Sequence, residues 1–288
     1  MHKLALPTYT AEYTFSTCIS RIKDVDLKNR LSSIKATIIA AALDYEQAAG
    51  ENALYKIGTS ETVNGVVTAN EMSDVCDLRM AKKRGPGRPI YDKLFSAPAH
   101  GRCPLCGQGK VWTLDHHLPK KRYPGFAVTP ANLIPSCQDC NKAKGSNVPT
   151  TPEDGTLHPY FDDIDSNRWL TAAVVDTAPA AVLFNITRPA VWDDVLFVRV
   201  REHFRLFNLA SLYSGHAAEE LTNIRDYVSG LHASVGPEGV KQHIRDQANS
   251  REAARRNSWQ TAMYRALEAS DWYCNGGFDL NADTALDD

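Results

Sequence analysis

The placement of four of the seven cysteines constrains this chain more than any other feature. Cys103 and Cys106 form one Cys-x-x-Cys pair, Cys137 and Cys140 form another, and 30 residues lie between the pairs. In a reducing compartment such pairs hold a metal rather than oxidise. Together they supply the four thiolates of a tetrahedral zinc site, with Zn–S bonds of about 2.3 Å. Four thiolates leave no position for water, so the zinc expected here is structural, pinning the two ends of a short, loop-rich segment. Cys18, Cys76 and Cys274 are scattered singly and read as small core residues.

The segment between the pairs carries a second, different set of groups. Leu114 to Pro119 reads Leu-Asp-His-His-Leu-Pro, and Asn132 and Asn141 follow. Asp115 is a hard carboxylate ligand, and Asn141 offers a neutral carbonyl oxygen, so the two suit a Mg²⁺ or Mn²⁺ ion. A histidine beside them takes a proton near neutral pH. An oxygen-coordinated divalent cation, a general base for water and stabilisation of the departing oxygen are what phosphodiester hydrolysis requires.

Charge points the same way. The chain as a whole carries a formal net charge of −2, yet from Arg79 to Gly145 it holds thirteen Lys or Arg against three Asp. A chain segregated in this way turns one region toward a polyanion, and that region contains the cysteine pairs.

Across about 45 residues the sequence resembles the HNH, or ββα-metal, nuclease family. The resemblance is carried by Cys103-Pro-Leu-Cys106, Asp115-His116-His117-Leu118-Pro119, Asn132-Leu133 and Cys137-Gln-Asp-Cys140-Asn141-Lys-Ala-Lys144. It implies a β-hairpin followed by a helix opening near Cys137, with Asp115 and Asn141 on the catalytic cation. His116 would be the general base and Asn132 would brace the loop that presents it. Some family members carry a His-His pair whose second member is the base, which keeps His117 as the alternative. The family spacing of three residues from base to proline selects His116, and strand alternation puts the two rings on opposite faces. The layout as a whole also resembles bacterial HNH proteins encoded beside an ATPase in phage-defence systems, which implies a partner ATPase.

Lys120, Lys121, Arg122, Lys142 and Lys144 cluster around these residues and are expected to neutralise backbone phosphates. Upstream, the stretch KKRGPGRP resembles a minor-groove hook, with Arg88 as the inserted residue, against the plainer reading of a basic linker.

Helical periodicity predicts one helix over about 15–50 and a second around 71–81, with KKRGPGRP as a breaking loop. Two apolar runs, 169–175 and 181–187, read as a hairpin. Helical patterns follow over 217–231, from near Phe197, and over about 239–270, and the acidic terminus DLNADTALDD reads as frayed. The expected architecture is α+β: a mainly helical chain with a central zinc-stapled ββα-metal nuclease module. It divides into an N-terminal helical segment (1–81), the HNH module (82–147), and a mainly helical C-terminal region (148–288) bearing the hairpin.

A hydrophobic fraction of 43% with 23% charged residues argues against disorder. No apolar run is long enough to span a bilayer and no secretory signal is legible, so a cytoplasmic location without membrane contact is expected. The functional expectation is a metal-dependent endonuclease acting on DNA. The alternative is a zinc-ribbon module that binds nucleic acid without turnover.

Overall fold

The computed structural model describes residues 1–279; the terminus expected to fray lies outside them from position 280 on. The fold is α+β, mainly helical with small two-stranded sheets. It divides into two compact units, residues 1–163 with 198–203, and residues 164–197 with the described residues from 204 on.

The first unit opens with α1 (Ala11–Ile19), α2 (Val25–Ser33) and α3 (Lys35–Gly50), where periodicity predicts a single helix. Local polar chemistry makes the breaks. Asp24 starts α2 by accepting the Leu27 N–H at 3.0 Å. Ser32 and Ser33 turn their hydroxyls back onto the carbonyls of Lys28 and Arg30, and the chain bends at Ile34. A short hairpin of β1 (Thr62–Val63) and β2 (Val67–Thr68) leads into α4 (Ala69–Asp74), opened by a capping box between Thr68 and Glu71. A hydrogen bond from Arg30 holds the Glu71 carboxyl down to about 2.

Beyond Asp74 the expected ordinary helix widens into a π-helical stretch over Val75–Ala81, a geometry often found beside functional sites. The KKRGPGRP stretch bends only as far as Gly87, and α5 (Arg88–Phe95) begins inside it. Pro89 therefore opens a helix instead of ending one, because its missing N–H falls in the first turn, where no intrahelical partner exists.

The central element is a hairpin of β3 (Thr113–His116) and β4 (Leu133–Ser136), antiparallel from Thr113↔Ser136 to His116↔Leu133. It is followed by α6 (Gln138–Lys144). Two four-residue strands and a seven-residue helix bury too little apolar surface to be stable alone. Leu114 and Leu133 instead join a cluster with Phe15, Leu31, Ile38 and Met80, while Leu118, Phe126 and Ala131 pack on Tyr45 and Leu54. The domain boundary read at Lys82 falls inside this shared core.

The second unit contains β5 (Leu170–Val175) paired antiparallel with β6 (Ala181–Ile186), then part of α7 (Asp194–Leu206), α8 (Leu209–Ala254), α9 (Trp259–Ala269) and α10 (Asp271–Cys274). Within α8, Gly236 takes φ +72° ahead of Pro237, a backbone that only glycine adopts without strain. Tyr227 meets His243, and Glu220 meets Arg251 at 3.4 Å. Both pairs bracket Gly236, and the pair farther from it on one side is also farther on the other, so the two arms of α8 fold back antiparallel. The helix expected over about 239–270 is interrupted before α9, where Ser258 accepts the Thr261 N–H at 3.1 Å and starts a new helix. No helix among the described residues is long and apolar enough to cross a membrane.

Candidate active site

The first unit brings the four paired cysteines to one point. All are buried, their sulfurs lie within 4.8 Å of one another, and Cys106 and Cys137 Sγ are 3.9 Å apart. A tetrahedron of ~2.3 Å Zn–S bonds has sulfurs about 3.8 Å apart. The surrounding backbone treats the sulfurs as acceptors: Gly109 N–H donates to Cys106 Sγ at 3.3 Å and Cys140 N–H to Cys137 Sγ at 3.5 Å. A Cβ at position 109 would stand 2.7 Å from the Cys137 Cβ, so only glycine lets the first knuckle close on the second. The donor set fits a structural zinc.

The second set of groups gathers at the end of β3. Asp115 Oδ2 is closed off from solvent and accepts no hydrogen bond. Its nearest cation is Lys144 Nζ at 3.2 Å, which donates instead to the His116 carbonyl at 2.7 Å. Burial raises the Asp115 pKa and Lys144 opposes the shift. A buried carboxylate oxygen whose only partner is one ammonium at 3.2 Å is what a cation-binding group looks like. Asn141 lies one turn before Lys144 on α6, so the face that reaches β3 through Lys144 also carries the Asn141 amide.

His116 is half-buried. Its Nε2 lies 2.9 Å from the Ala127 carbonyl and 3.7 Å from Cys76 Sγ, on the π-helical stretch. A carbonyl only accepts, so Nε2 carries the proton and Nδ1 keeps the lone pair. Burial pushes the His116 pKa down to about 4, and the ring stays neutral at ordinary pH.

Asn132 is fully buried and braces the loop that follows. Its Oδ1 accepts the Leu118 N–H at 2.7 Å, and its Nδ2 donates to the carbonyls of Leu118 and Phe126 at 3.0 and 3.2 Å.

His117 points the other way. It is 7% exposed, its ring lies 4.3 Å from that of His158, and it lines a cavity of about 20 Å³ with Arg199. His158 Nδ1 accepts the Tyr160 N–H, so its Nε2 donates to Tyr45 Oη at 3.0 Å. Tyr160 in turn donates to the Leu133 carbonyl at 3.0 Å, and Arg199 grips Asp162 through two bonds of 2.8 and 2.7 Å.

The basic residues separate into two groups. Lys120 pairs with Asp77, and Lys121 donates to Asn70 at 2.6 Å. Lys144 is buried against β3, and Arg88 bonds Asp92 and the Ala81 carbonyl while its guanidinium covers the Tyr91 ring at 4.6 Å. Arg122 and Lys142 are exposed. The inward turn of Lys144 had a signal in the sequence, its i, i+3 spacing from Asn141 on one helix. The aromatic-rich run from His158 to Phe161 also had one, as a segment packing against the module, whereas the contacts of Cys76 and Ala127 had none.

Comparison with known proteins accords with this geometry. Residues 103–147 match the family model described as HNH endonuclease, and they form an HNH module. The chain is similar to Protein ea31 of Escherichia phage lambda, 27% identical over 296 residues that cover 96% of this chain and all of that protein. It is also similar to Septu protein PtuB of Bacillus thuringiensis, 42% identical over 66 residues, which cover 21% of this chain and 26% of that protein. No solved structure matches.

Proposed function

We propose that this chain is a metal-dependent DNA endonuclease in which His116 is the general base. The observation that carries the reading is the fixed His116 tautomer. With Nε2–H held by the Ala127 carbonyl, Nδ1 is free to take a proton from water. That water attacks phosphorus in line, the bond to the 3′-oxygen breaks, and the products carry 5′-phosphate and 3′-hydroxyl ends. Asp115 and Asn141 would hold a Mg²⁺ or Mn²⁺ ion, which supplies positive charge to the phosphoryl oxygens. Asn132 keeps the loop after His116 from shifting the ring. His117, buried under His158, faces away from this chemistry.

The layout also supports a role as the effector of a phage-defence complex with a partner ATPase, and the similarity to Septu protein PtuB supports that context. Plasmid cleavage by the full chain, with and without such an ATPase, is the test. His116→Ala should lower cleavage by two orders of magnitude or more, since general base catalysis contributes roughly 10²–10⁴-fold. A folded His117→Ala protein should retain more activity than His116→Ala. The opposite ranking overturns the assignment of the base, and a wild-type chain that binds DNA but never cleaves it under either condition overturns the nuclease reading.

A further inference from the structure

Trp112 stands beside the candidate active site with no task in the chemistry above. Its backbone N–H donates to the Ser136 carbonyl at 2.8 Å, extending the β3–β4 ladder by one residue. On the same side of the strand, Leu114 is 7% exposed and belongs to the core, whereas the Trp112 indole is 69% exposed. The other four tryptophans are buried or half-buried. The core therefore ends at Leu114, and a large flat ring projects beyond it on a rigid strand.

The surroundings say what the ring meets. Arg102 and Lys110 face each other across an antiparallel bridge in the first zinc knuckle, and both are exposed. From Lys93 to Leu114 the sequence contains no acidic residue. An exposed aromatic face flanked by cations is the combination that binds single-stranded nucleic acid, with the bases stacked on the ring and the phosphates neutralised beside it. Strand alternation puts His116 on the same face as Trp112, four residue steps along, about 13 Å, or roughly the span of four stacked nucleotides at ~3.4 Å each.

We infer that Trp112, with Arg102 and Lys110, is a stacking subsite for an unpaired nucleobase a few nucleotides from the bond placed at His116. This rests on the endonuclease reading and narrows its substrate. Inside a duplex both faces of every base are covered by neighbours, so the indole can stack only on a single-stranded, frayed or flipped base. The substrate class is DNA that is unpaired next to the cut.

The test measures binding of a labelled oligo-dT 20-mer and of a duplex of equal length to the full chain, without added Mg²⁺ or Mn²⁺. Tryptophan emission should be quenched by the single strand, and Trp112→Ala should remove most of that quenching. The same change should weaken single-strand binding about fivefold to 150-fold, since stacking on an aromatic ring contributes roughly 1–3 kcal/mol per base. Trp112→Phe should keep most of the affinity, and duplex binding should change much less in either variant. Zinc content of one per chain in Trp112→Ala confirms that the knuckle is intact.

Unchanged single-strand binding in Trp112→Ala overturns the proposal and leaves the nuclease reading standing. So does an equal loss on single strand and duplex. A variant that binds both nucleic acids normally but no longer associates with a protein partner reassigns Trp112 to a protein interface. Conversely, a wild-type chain with Trp112-dependent single-strand binding and no cleavage keeps this subsite and sinks the nuclease reading.

Discussion

The first unit contains two polar centres on neighbouring residues, and they are closed to different degrees. In the cysteine centre every polar atom faces another member of the set, and backbone N–H groups complete the shell. In the β3 centre Asp115 Oδ2 has only the Lys144 ammonium at 3.2 Å, that ammonium is shared with a neighbouring carbonyl, and His116 keeps one ring nitrogen unprotonated. A closed centre holds a fold together. An incompletely satisfied one is poised to take up a ligand, and the cost of its unmet polar atom is carried by the surrounding core.

The sharpest way to break this comparison is to exchange the consequences. Cys103→Ser or Cys137→Ser should lose zinc and unfold the module, because structural zinc contributes about 10–16 kcal/mol of apparent binding free energy in small zinc-finger peptides. Asp115→Ala or Asn141→Ala should lose cleavage yet keep one zinc per chain and a cooperative unfolding transition. Elemental analysis and thermal unfolding of the four variants read both outcomes. Zinc missing from the wild-type protein would overturn the zinc assignment, and zinc lost from Asp115→Ala would mean that the two centres are one.

A smaller effect distinguishes the imidazoles around them. Burial holds the His158 and His203 pKa values down to about 3, against about 6.5 in an unfolded chain. The unfolded state therefore binds protons that the folded state refuses between those values. Stability from this source is complete above about pH 6.5 and declines as pH falls toward 3, by up to about 1.4 kcal/mol per pH unit for each group. His158→Gln should flatten that decline between pH 6 and 4 in denaturant titrations. A zinc-sensitive dye followed in parallel separates it from acid release of the metal. An unaltered slope would show that His158 is protonated in the folded protein.

The difference in closure also explains what the sequence made legible. Each cysteine finds its partner through a two-residue spacing and one repeat of it, so that centre could be read whole. Asp115, His116, His117, Asn132 and Asn141 could be named as types of chemistry, but the partners of the two histidines come from elsewhere in the chain: Cys76 from the π-helical stretch and Ala127 from the loop against His116, and His158 from beyond α6 against His117. Periodicity marked the helical regions and left a gap at Gly236, but it missed the breaks at Asp24, at Ser32–Ser33 and before α9, because Asp24, the two serines and Ser258 act through single hydrogen bonds. The shared core of the first unit was hidden by KKRGPGRP, whose glycines and prolines look like a boundary and instead fold into the entry of α5.

The basic run after β3 is where the comparison is finest, and its effect is the smallest. Lys120, Lys121 and Arg122 follow the open centre directly, yet Asp77 and Asn70 already engage the two lysines. If those contacts persist on DNA, changing all three residues to Ala should lower the slope of log affinity against log salt by only about 0.9, the value of one phosphate contact on duplex. Removing the internal partners should free the lysines for phosphate. An Asn70→Ala, Asp77→Ala protein should bind duplex more tightly, with a slope steeper by up to about 1.8, and the triple change in that background should cost about 2.7. Cleavage at saturating DNA should change little in any of these variants, because none of the residues moves a proton or holds the cation. A triple variant that loses the full increment in the wild-type background would show that DNA displaces Asp77 and Asn70 unaided. A slope indifferent to every change would return the run to plain solvated surface.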